Sequence, residues 1–168
     1  MAVRRIPILG WPTIPDNSGN VFLEPYDVKA TNDVWKRLVL IFADTATRIG
    51  LRYGFTVPKD YVGNPKVIVV WTATATTGNV VWDFDYRAVG GDNAESLDQA
   101  GTQESVTATD AAPTTAHFRL ETALSLTAAN LAIDDEVECE LFRDGADASD
   151  TMAAAAIVFA VLFEYTDA

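Results

Sequence analysis

Asp83 and Asp85 stand two residues apart in the run Val80–Arg87, so an extended chain projects both from one face, roughly 7 Å apart by the rise of a strand. Carboxylates near that separation can hydrolyse glycosides, one as acid and the other as nucleophile or base. Alternating aspartates are also how a solvated strand face stays soluble, and that plainer reading stands beside the first. His117 is the only histidine. Any Ser/His/Asp arrangement would have to use it, yet no G-x-S-x-G accompanies it and its neighbours place it on a polar surface. Asp144, Asp147 and Asp150 put three carboxylates in one loop, and oxygen-rich loops bind calcium. Their spacing is not that of an EF-hand and the terminal bidentate Glu is missing, so they are weak metal candidates against a solvated acidic turn. Trp11, Trp35, Trp71 and Trp82 could form a sugar-stacking platform, but Trp71 and Trp82 fall on apolar faces and read as core. The single cysteine, Cys139, excludes a disulfide within the chain and leaves too few ligands for zinc. The sequence therefore points to no catalytic residue, no cofactor and no required metal.

The elements that must carry these residues are strands. Val80, Trp82, Phe84 and Tyr86 alternate with Val81, Asp83, Asp85 and Arg87, the period of a half-buried strand. Val67–Trp71 is a continuous apolar run that reads as a strand buried on both sides. The Thr/Ala segment between them ends at Gly78-Asn79, a turn signal, and predicts a β-hairpin from Lys66 to Arg87. Further strands are predicted over Val34–Phe42, Leu51–Val57, Gln103–Thr109, His117–Leu126, Glu136–Phe142 and Ala155–Tyr165, with a helical turn at most in Thr127–Asp135. Phe118, Leu120, Leu124 and Leu126 are expected to point inward. Eight strands and no convincing helix predict an all-β antiparallel β-sandwich, a jelly roll with the immunoglobulin-like arrangement as the alternative. Val69, Trp82, Phe84, Leu120, Leu124, Leu141 and Phe159 are the expected core.

Residues 1–31 contain Pro7, Pro12, Pro15 and Pro25, which leave room for neither a useful helix nor a central strand. They read as an extended N-terminal arm ahead of a β-sandwich domain over residues 32–168. The arm is apolar, with Ile8, Trp11, Ile14 and Phe22 among its side chains, so it must lie either on its own domain or on a neighbouring subunit. A chain of 168 residues is one ordinary domain. Its formal charge of −12 is uneven: residues 1–66 hold nine Lys/Arg against six Asp/Glu, and the rest hold three against eighteen. An acidic body repels phosphate, which argues against a nucleic-acid partner. Met152–Phe163, twelve apolar residues, falls short of the ~20 that a membrane helix needs and reads as a buried last strand. Arg4 and Arg5 are followed by Pro7, Gly10 and Pro12 before any signal-peptide core can form.

Three segments together carry a resemblance. The stretch Val67–Ala88, the acidic strand ending Leu141-Phe-Arg-Asp144 and the closing Phe163-Glu-Tyr165 resemble small jelly-roll proteins of tailed bacteriophage virions. The resemblance implies a capsid decoration, or cement, protein that stabilises the head from the outer surface of the virion capsid. Its partners would be the major capsid protein and itself as a homotrimer, with neither nucleic acid nor membrane. The arm favours that role, because a proline-stiffened apolar segment lowers the ordering cost of lying on a neighbour. Arg4, Arg5, Ile8, Trp11, Ile14 and Phe22 are then the expected contacts. The alternative is a tail or fibre module that binds a glycan receptor.

Overall fold

The computed structural model describes residues 1–8, 14–15, 21–27, 36–91, 94–98 and 103–168. These form β1 (Val3–Pro7), β2 (Ile14–Pro15), β3 (Val21–Asp27), β4 (Lys36–Phe42), β5 (Arg48–Thr56), β6 (Tyr61–Thr72), β7 (Asn79–Val89), β8 (Glu104–Ala111), β9 (Leu120–Ser125), β10 (Glu136–Asp144) and β11 (Ala156–Asp167). One 3-10 turn, Ala128–Asn130, falls where a helical turn was expected. No described helix is long and apolar enough to cross a membrane.

Two antiparallel sheets face each other, one in the order β3-β4-β11-β6-β9 with β1 also on β11, the other in the order β2-β5-β10-β7-β8. From β4 onward, consecutive strands change sheet at every step except β7 to β8. Four strands, β4-β11-β6-β9, thus oppose β5-β10-β7-β8, which is the eight-stranded jelly roll. Within residues 1–31, β1 pairs with Leu162–Thr166, β2 with Leu51 and Arg52, and β3 with the whole of β4. Pro7, Pro15 and Pro25 are accommodated because these strands lie at sheet edges. The described parts of the arm are therefore seated on their own domain.

The hairpin expected between Lys66 and Arg87 is not one. β6 and β7 belong to different sheets, and the segment between them crosses the sandwich. Their aromatic residues meet face to face across the core instead of side by side: the Trp71 and Trp82 rings are 5.9 Å apart and nearly perpendicular, a favoured geometry for aromatic pairs. Gly78 makes the crossing possible. It has φ 88, and a Cβ there would lie 2.6 Å from the Thr151 carbonyl oxygen, so the turn needs a residue with neither side chain nor left-handed penalty.

The core fills the space between the sheets. Val69, Trp82, Phe84, Leu124 and Leu141 are buried there as expected, and Leu120 is half-buried against them. Phe159 packs instead with Val39, Ile41 and Ile157 in a separate cluster. The cause is a register shift between Val158 and Ala160, which puts Val158 and Val161, three apart, both into the main core. A bulge of this kind moves the residues inside it off the simple alternation. Phe118, expected inward, is 59% exposed. His117 adopts φ 69, which breaks the extended chain before β9 begins at Leu120.

Candidate functional site

Alternation along β5, β7, β8 and β10 turns one set of side chains outward from the five-stranded sheet. Arg48, Arg52, Asp83, Asp85, Arg87, Glu136, Glu138 and Glu140 all lie on this face, beside Ser105 and Thr107. Cross-strand register sets Glu140 opposite both Arg52 and Asp85, and Glu138 opposite Gly54 and Arg87. At one end, Arg48 reaches across β10 to β7. Its Nε donates to Asp83 Oδ2 at 3.0 Å and its Nη2 to Asp85 Oδ2 at 2.7 Å. The guanidinium lies 3.7 Å above the centroid of the Phe142 ring, a cation–π contact. Gly50 beneath leaves room for that ring, since a Cβ there would collide with it. The other oxygens of Asp85 and Asp83 accept from Ser105 Oγ at 2.5 Å and Thr107 Oγ1 at 2.6 Å. Burial works against the Arg48 charge, but hydrogen bonds and charge from Asp85 and Asp83 outweigh it and raise the guanidinium pKa.

Beyond this knot the face opens into a concavity of about 610 Å³. Its walls include Arg52, Asp85, Arg87, Gln103, Glu138 and Glu140, with Glu136 and Gly54 at one end. Arg52 is paired with Glu140, and Arg87 with Glu138. Gly54 keeps the floor low: a Cβ there would come within 3.2 Å of Glu136 Oε1. Beneath the floor, Cys139 Sγ donates to the Tyr53 carbonyl at 3.3 Å. Burial pushes both the Cys139 thiol and the Tyr53 phenol well up, so the thiol is held protonated and is no nucleophile. The cleft offers a mixed row of donors and acceptors suited to hydroxyl groups.

The residues singled out in the sequence take different places. Asp83 and Asp85 do share a face, but Arg48, Ser105 and Thr107 hold both, and neither is a free acid or nucleophile. His117 is exposed beside Arg119 and Phe159 on the other sheet, and its backbone N–H donates to the Ala73 carbonyl at 2.9 Å. Asp144 Oδ1 accepts from Ala146 N and Asp147 Oδ1 from Ser149 N, both turn-forming bonds. Asp150 instead neutralises the fully buried Arg143, through Nε–Oδ2 at 3.0 Å and Nη2–Oδ1 at 2.8 Å. The same guanidinium donates to the Met152 and Ala154 carbonyls, each at 2.7 Å. No group of three or more His, Cys, Asp or Glu placed to hold a metal occurs among the described residues. The sequence missed the Arg143–Asp150 pair, although Arg143 continues the inward series Val137, Cys139, Leu141.

Among the arm residues, Arg4 pairs with Asp167 at 2.7 Å, and Arg5 with Glu164 at 2.7 Å and Glu121 at 2.9 Å. Ile8 is buried in the main core. Ile14 lies opposite Arg52 and Phe22 opposite Ile41 in the strand register. Trp11 and Trp35 lie outside the described residues, so a stacking platform that included them is not addressed; Trp71 and Trp82 are fully buried.

No family model and no curated protein sequence matches this chain. Solved structures do. The family 11 carbohydrate-binding module from Clostridium thermocellum, in complex with a β-1,3-1,4-mixed-linked tetrasaccharide, is similar at 9% identity and TM-score 0.50, over 96% of this chain and 94% of that one. The arabinose-bound MgGH51 α-L-arabinofuranosidase is similar at 15% identity and TM-score 0.51, over 95% of this chain but only 24% of that enzyme. At such identities the likeness is one of fold. It corrects the capsid-decoration reading, because these two structures similar to this chain are a carbohydrate-binding module and an arabinofuranosidase, not phage capsid proteins. The expected major capsid protein partner, homotrimer and position on the virion's outer surface are corrected with it. The physical reason is visible in the arm, where Arg4, Arg5 and Ile8, expected to reach a neighbour, are engaged by Asp167, Glu164, Glu121 and the core of their own chain.

Proposed function

We propose that the chain is a non-catalytic glycan-binding module whose ligand lies across the outer face of the five-stranded sheet. The observation that carries this reading is the cleft between β5, β7 and β10. It encloses about 610 Å³, is floored by the sheet and lined by paired charged donors and acceptors, with Asp85 held by Arg48 and Ser105 and not available for bond cleavage. Sugar hydroxyls are both donors and acceptors, and a row of guanidinium and carboxylate groups meets both needs with charge-assisted hydrogen bonds. The jelly roll shared with a module solved in complex with a mixed-linked tetrasaccharide supports the choice of ligand class. The binding unit is the sandwich of residues 32–168, with the strands of residues 1–31 seated on its edges.

Affinity electrophoresis and calorimetry against a panel of soluble polysaccharides test the reading. At least one glycan should retard the protein, and Arg52→Ala should weaken that binding about tenfold or more while leaving the melting temperature within a few degrees. Failure of every glycan to bind, or an Arg52→Ala protein that binds as well as the parent, overturns it.

A further inference from the structure

The charges of the cleft say which glycans it takes, an inference that rests on the glycan-binding reading above. Both guanidinium groups in the wall are already neutralised, Arg52 by Glu140 and Arg87 by Glu138. Asp85 is matched by Arg48, which it shares with Asp83. Glu136 is different. It lies exposed at the end of the cleft, where its Oε2 accepts from Thr56 Oγ1 at 2.9 Å, and no guanidinium or ammonium pairs with it among the described residues. A bound ligand therefore meets no uncompensated positive charge and at least one uncompensated carboxylate. The chain as a whole adds a formal charge of −12, whose field concentrates cations near the surface and disperses anions.

We infer that the cleft selects by charge: it rejects glycans bearing uronate or sulfate groups and prefers those with free amino groups, for which Glu136 is the acceptor. An amino sugar placed over Gly54 could set its ammonium against the Glu136 carboxylate while its remaining hydroxyls face Glu138, Arg87 and Glu140. A uronate in the same position would bring like charges together in a site with no spare cation. An exposed ion pair of this kind is worth a factor of about 2 to 5 in affinity and is screened by salt.

The test is calorimetry of the intact chain with three oligosaccharides of equal length: oligoglucosamine, cello-oligosaccharide and oligogalacturonate. Affinity should fall in that order, and the ratio of the first to the second should shrink towards one in Glu136→Gln and in high salt. Asp147→Asn, which removes a carboxylate beyond the far end of β10, serves as the control for bulk charge and should leave the ratio in place. Binding led by the neutral or acidic oligosaccharide overturns the charge selection while leaving the glycan reading intact. So does an Asp147→Asn protein that loses the preference as fully as Glu136→Gln. If none of the three binds, the charge selection is overturned, and the polysaccharide panel decides separately whether the glycan reading stands.

Discussion

Two arginines on neighbouring parts of β5 and β10 show two uses of charge in one sandwich. Arg48 lies on the outer face with 35% of its side chain exposed, shared between Asp83 and Asp85 and resting on Phe142. Arg143 has no exposure at all, and its guanidinium is consumed by Asp150 and by the carbonyls of Met152 and Ala154. The first keeps its guanidinium partly in water while its two carboxylates are buried beneath it. The second closes the β10–β11 connection onto β7, since Asp150 Oδ2 also accepts from Val81 N at 3.1 Å. There a lost partner strands a buried charge. The molecule thus encloses one acidic cluster completely and leaves the other with its guanidinium open to water, on the face proposed to bind a glycan.

The largest effect expected from this contrast is at the buried pair. Asp150→Ala should cost about 3 to 5 kcal/mol, because the buried Arg143 loses its two-point partner and keeps only the half-exposed Asp44 carboxylate, 3.5 Å away. Denaturant unfolding measures it, and the double change Arg143→Met with Asp150→Ala should recover part of the loss. Trp82→Ala should cost a similar amount, about 3 to 5 kcal/mol, since its ring packs edge-on against both Phe42 and Trp71 in the closed core. On the outer face, Arg48→Ala takes the cation from Asp83 and Asp85, which are themselves buried, but Thr107 and Ser105 still donate to them. The loss should therefore be smaller, about 1.5 to 3 kcal/mol in the same assay. A loss as large as that of Asp150→Ala would erase the distinction between the two sites.

A smaller effect belongs to the ends of the chain. The Asp167 carboxyl accepts from Ala2 N and from Arg4, which hold its pKa below the ordinary aspartate value of 3.8. A carboxylate with a depressed folded-state pKa contributes stability above the unfolded value and loses it as pH falls through the folded one. Asp167→Asn should therefore melt lower than the parent at neutral pH, and the gap should close as pH drops below about 3.8. A gap independent of pH would mean that the β1–β11 pairing does not depend on this charge.

Much of the fold was legible because alternation reports directly on which side of a strand faces the core. Glu136, Glu138 and Glu140 against Val137, Cys139 and Leu141 is β10, and the polar run Glu104–Ala111 is an edge strand. Alternation does not report which strand lies beside which. Gly78-Asn79 looks the same whether the chain folds back within a sheet or crosses to the other, and only the meeting of Trp71 with Trp82 across the core decides. Arg143 falls one residue past the strand expected over Glu136–Phe142, because a charged residue type beside an aspartate-rich loop masks its place in the inward register. Of the site, the shared face of Asp83 and Asp85 was visible. The cleft was not, because it depends on β10 being placed between β5 and β7, and a single sequence does not encode that neighbourhood in any local pattern.

The central claim is that the outer face of the five-stranded sheet is the binding face. Backbone amide NMR during titration with a glycan that binds tests it most directly. Shifts should concentrate at Arg52, Gly54, Arg87, Glu136 and Glu138, with the Arg143–Asp150 segment unmoved. Shifts centred on His117, Arg119 and Phe159 of the other sheet would contradict the account.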